Sequence, residues 1–83
     1  MPESIFIRIL RGASDANIRF GELRSLLVKL GFTERVRGSH HIFSHAGVPE
    51  ILNLQPRGAY AKPYQVKQVR KVLIENRLGD KAE

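Results

Sequence analysis

The chain contains no cysteine. No disulfide can staple it, so its stability must come from packing, and the composition fits a reducing compartment. A chain of 83 residues buries only about 60% of its unfolded surface, which leaves room for one compact core. Long apolar runs are also missing. Nothing approaches the roughly 20 residues of a membrane span. The apolar stretch Ile5 to Leu10 is short and broken by Arg8, unlike a signal peptide. Glycines are scattered and never form a run before a helix, which excludes a phosphate loop. Repeats and low-complexity segments are absent as well. The expectation is a single cytoplasmic domain over residues 1–83, with its core at about 18–78.

Acidic residues are scarce: 14 Lys and Arg stand against 8 Asp and Glu, for a formal charge of +6. On so small a surface this is a strong positive field, and phosphate is its natural partner. A basic surface that serves only solubility is the plainer alternative.

Hydrophobic spacing then lays out the elements. Residues 4–11 alternate isoleucines as a strand does, yet they also fit a short helix with Ser4 as N-cap and Gly12 as stop; the helix is the reading taken. Ala13 to Asn17 is a polar connector. Phe20, Leu23, Leu26, Leu27 and Leu30 recur at helical spacing before Gly31. Phe32 to Arg37, Ser39 to Ser44 and Glu50 to Leu54 are short segments bounded by glycine or proline, the pattern of a three-stranded antiparallel meander. Pro63 opens a final helix with Val66, Val69 and Leu73 on its apolar face and Val72 and Ile74 at the margins. Arg77 suits its C-terminal end, and Gly79 stops it. The order predicts an α+β fold: a three-stranded antiparallel sheet with two helices on one face, plus a short N-terminal extra element.

All three histidines fall close together, at His40, His41 and His45. Alternation along a strand places His40, Ile42 and Ser44 on one face and His41, Phe43 and His45 on the other. Phe43, the largest apolar residue of the stretch, should pack under the helices. His40 then projects from the open face, unless a bulge at Gly38-Ser39 resets the register. An exposed imidazole among Arg35, Arg37 and lysines suits RNA cleavage: a neutral ring takes the 2′-hydroxyl proton, and cations stabilise the phosphate. A surface histidine at a strand end is the plainer reading. A metal site fits poorly, because adjacent strand residues point apart and no cysteine or acidic cluster is near. Tyr60 and Tyr64 flank Lys62 and Pro63; they suit stacking on a base or, more simply, anchoring the loop.

Leu30-Gly31-Phe32, followed by Arg37-Gly38-Ser39-His40-His41 with Phe43 and a final helix, resembles the HicA toxins of bacterial and archaeal toxin–antitoxin systems. The similarity runs from about Phe20 to Leu78. It implies a fold like the double-stranded-RNA-binding domain and a cytoplasmic ribonuclease that cleaves mRNA. It implies no metal, no small-molecule cofactor and no membrane, and a cognate HicB-like antitoxin as partner. The family's catalytic histidine directly follows Gly-Ser, which here is His40. Arg35, Arg37, Ser39, Lys62, Lys67, Arg70 and Lys71 are the expected RNA contacts. Where the family often carries Pro-x-His after the third strand, this chain reads Asn53-Leu54-Gln55-Pro56-Arg57. Two other readings share the fold: a non-catalytic RNA-binding module, and an interaction domain for an acidic partner.

Overall fold

Ser4 caps the first helix, α1 (Ile5–Arg11), by accepting the Ile7 N–H at 3.2 Å. Gly12, at φ 71°, closes it in the left-handed conformation that glycine tolerates best. The helical reading of this segment therefore holds over the alternating one. A single 3-10 turn, Asp15–Asn17, leads to α2 (Phe20–Lys29), which buries Phe20, Leu23, Leu26 and Leu27. The computed structural model describes residues 4–78.

Three antiparallel strands follow in spatial order: β1 (Thr33–Arg37), β2 (His40–His45) and β3 (Val48–Leu54). Arg37 pairs with His40, so Gly38 and Ser39 form a two-residue hairpin turn. Gly38 has φ 60°, the positive value that the first position of a type II′ turn requires. The bend thus starts β2 cleanly, and the register irregularity lies between Phe43 and His45 instead. β3 begins two residues earlier than its apolar pattern predicts, taking in Val48 and exposed Pro49. Proline is tolerated there because β3 is an edge strand.

A second, two-stranded sheet, β4 (Pro56–Arg57) with β5 (Tyr60–Ala61), was not expected from the sequence. Its strands are too short to show alternation. The structure ties it to the start of α2: Ala61 N–H donates to Ile18 at 2.8 Å, and Phe20 N–H donates to Ala59 at 3.0 Å.

The last helix, α3 (Pro63–Glu75), carries proline in its first turn and buries Gln65, Val66, Val69, Val72 and Leu73. Val72 is a full core residue, whereas Ile74 is exposed. The helix ends before Arg77, which takes φ 55° beyond the cap at Asn76. Arg77 is thus outside the last turn, and Gly79 lies outside the described residues.

α2 and α3 cover one face of the sheet, where Phe43, Leu52 and Leu54 are fully buried. The same cluster includes Phe6 and Ile9 of α1, so the N-terminal helix is part of the core rather than an addition to it. A partly buried ion pair closes this corner: Arg70 of α3 donates to both Asp15 oxygens, at 2.9 and 3.0 Å, and to the Ile9 carbonyl at 3.0 Å. Its guanidinium fills the space beside Gly12, where an added Cβ would meet it at 3.1 Å.

Candidate functional site

The open face of the sheet is read from its register. Arg37 stands opposite His40, Arg35 opposite Ile42, and Ile42 opposite Asn53. Paired residues share a face, so Arg35, Arg37, His40, Ile42 and Asn53 lie together on the side away from the helices. His40 is exposed at the first position of β2, immediately after the Gly38-Ser39 turn. Its Nδ1 lies 3.1 Å from Asn53 Oδ1. Ser39 is held in turn, accepting the Gln55 side-chain amide at 2.9 Å. The Gln55 carbonyl oxygen faces Lys62 Nζ at 3.4 Å. A histidine, an arginine, a lysine and a serine therefore lie at the turn end of the sheet, with Arg35 two residues further along β1 on the same face.

The other two histidines are committed inward. His41 donates from Nδ1 to Glu34 Oε2 at 2.7 Å and meets the Phe20 ring edge-on at 4.8 Å. Arg24 of α2 grips the same carboxylate through two bonds of 2.6 and 2.7 Å. The Arg24 guanidinium and, secondarily, the His41 bond hold the Glu34 carboxyl down at about 2. The Arg24 pKa is raised in return by its bond to Glu34. His45 accepts the Gly47 N–H on Nδ1 at 2.9 Å and packs edge-on against Phe32 at 5.0 Å. Its ring lies against Gly31, which has φ 100° and whose Cβ, if present, would sit 3.1 Å from His45 Nε2. This contact accounts for the glycine in Leu30-Gly31-Phe32.

Not every expected contact residue joins this cluster. Lys67 and Lys71 are exposed on α3, the layer packed on the opposite face of the sheet. Arg70 points into the protein, and its bond to Asp15 raises its pKa; its fork is already filled by Asp15 and Ile9. The tyrosines do not anchor the loop, as the plainer sequence reading held. Ala61 is the buried residue there, while Tyr60 and Tyr64 are 40% and 62% exposed. Arg19 lies 5.3 Å from the Tyr60 ring centroid, and both rings flank Lys62 in sequence.

Sequence reasoning missed Asn53, Gln55 and Gln65. Gln65 is 5% exposed; it accepts the Gln55 N–H at 3.1 Å and donates to the Asn53 carbonyl at 3.4 Å. The available signal was a polar residue beside the apolar stripe of α3, and an asparagine between two inward leucines. Among the described residues, no group of three His, Asp or Glu side chains is placed to hold a metal ion, and no helix is long and apolar enough to cross a membrane.

Residues 20–73 match the family model described as HicA toxin of bacterial toxin-antitoxin. No curated protein and no solved structure matches the chain. The matched span begins at α2 and ends near the close of α3, enclosing the whole three-stranded sheet and His40.

Proposed function

Because the chain belongs to the HicA toxin family of toxin–antitoxin systems, we propose that it is an RNA endonuclease that cleaves mRNA with His40 as general base. The observation that supports this most is the placement of His40: exposed on the open face, directly across from Arg37. In the proposed reaction a neutral imidazole nitrogen removes the 2′-hydroxyl proton. The 2′-oxygen attacks the adjacent phosphorus and forms a 2′,3′-cyclic phosphate. The bond to the 5′-oxygen of the next nucleotide breaks, and that oxygen is protonated from solvent. Arg35 and Arg37 stabilise the charge that collects on the phosphoryl oxygens. No step uses a metal ion. Ser39 and Lys62 contact the strand near the cut, and Lys67 and Lys71 extend the positive field on the α3 side. Arg70 is left out of the contact set because its fork is filled.

Membership in a toxin–antitoxin family also implies an antitoxin partner. We assign that role to a HicB-like protein with an acidic surface, seated on the open face in the cytoplasm. Arg35 and Arg37 supply the complementary charge, and Ile51, 66% exposed on β3, supplies an apolar contact.

The test compares wild-type protein with His40→Ala for cleavage of mRNA and for growth arrest in cells. Wild type should cut in the presence of a chelator, leaving 2′,3′-cyclic phosphate and 5′-hydroxyl ends. His40→Ala should keep fold and RNA affinity and lose cleavage. Equal cleavage by the two proteins refutes the assignment. RNA binding without cleavage by wild type favours a binding module of the same fold.

A further inference from the structure

We infer that Asn53 is a positioning residue that fixes the tautomer of His40. The inference rests on His40 being the base, but its first readout does not. Asn53 presents Oδ1 to His40 Nδ1 at 3.1 Å. A carbonyl oxygen can only accept, so Nδ1 must carry the proton, and a neutral ring then has its lone pair on Nε2. Nε2 is the ring nitrogen that Asn53 does not hold, on a side chain that is exposed. An unrestrained histidine side chain in water favours the opposite form, with the proton on Nε2. That form would present an N–H to the 2′-hydroxyl and could not take its proton.

Asn53 is itself held. It pairs with Ile42 in the sheet, and its carbonyl accepts from Gln65, which also accepts from the Gln55 backbone two residues on. Gln65 is buried on α3 and plays no part in the chemistry. Its amide bridges the core helix to the end of β3, so Asn53 is fixed from behind while its side chain faces the ring. Arg37 stands opposite His40 in the sheet and is the charged residue paired with it. A neutral amide oxygen accepts from the ring nitrogen and so orients the ring.

Long-range proton–nitrogen NMR on the full labelled chain at about pH 8, above the usual histidine range, reads the tautomer directly. The wild-type His40 ring should show Nδ1–H, and Asn53→Ala should move it toward Nε2–H. In cleavage assays on a short RNA, Asn53→Ala should lower kcat about tenfold, the effect of one lost hydrogen bond, with KM within about twofold. Asn53→Asp keeps the acceptor. It should recover kcat at high pH, with the rising limb of its profile displaced upward by about one pH unit because the carboxylate favours the imidazolium. An Nε2–H ring in wild type, or an Asn53→Ala protein cutting at the wild-type rate with an unchanged tautomer, overturns the inference. If the NMR pattern is as expected but His40→Ala still cleaves, the base assignment fails, Asn53's role in cleavage falls with it, and only its hold on the His40 tautomer stands.

Discussion

Replacing Glu34 with glutamine removes the charge between Arg24 and His41 and keeps the shape. The carboxyl falls from 4.5 to about 2 on folding, chiefly through Arg24. At about 1.36 kcal/mol per pH unit, that displacement would favour the folded state by roughly 3 kcal/mol if unscreened. Arg24, however, is 44% exposed, and solvent around it reduces the expectation to about 1–2 kcal/mol. A lowered carboxyl contributes fully above its unfolded value and loses its contribution as pH falls through the folded one. Wild type should therefore be more stable than Glu34→Gln by that amount at neutral pH, and the gap should close between about pH 4.5 and 2. Urea midpoints at fixed ionic strength, taken at several pH values, measure it. Two parallel stability curves with a constant gap would refute the electrostatic account and leave only packing. Equal stability at neutral pH would show that desolvation cancels the attraction.

The arginines should separate by what they touch. Arg70→Ala leaves the partly buried Asp15 unpaired and frees the end of α1; it should lower stability by about 3 kcal/mol in urea unfolding, with little change in RNA affinity. Arg35→Ala with Arg37→Ala should do the reverse. Stability should hold, while the salt slope of RNA binding in a fluorescence titration falls by about 2, near one per phosphate contact removed.

The helices and the sheet were legible in the sequence because each buries a face, and a buried face imposes a period. Phe43 at 0% exposure fixes the parity of β2, and with it the outward turn of His40 and the inward turn of His41. The hairpin β4–β5 was not legible, since two-residue strands have no period to read. Nor was the direction of Arg70: helical spacing groups it with Lys67 and Lys71, but only tertiary structure brings Asp15, 55 positions away in the chain, to its fork. Asn53 and Gln65 escaped notice for a related reason. Their meaning lies in contacts between β3, β2 and α3, and no local pattern records which polar side chain will face which.

The dependence of the sheet's end on α3 has a consequence for synthesis. Gln65, which secures the strand bearing Asn53, and Arg70, which closes the α1 corner on Asp15, both sit on α3, which follows the sheet in the chain. A nascent chain emerges N-terminus first and reaches His40 well before either partner exists. The histidine is translated ahead of α3, and its surroundings are complete only when that helix docks. A translation product interrupted before Gln65 therefore carries the histidine without the contact that secures Asn53.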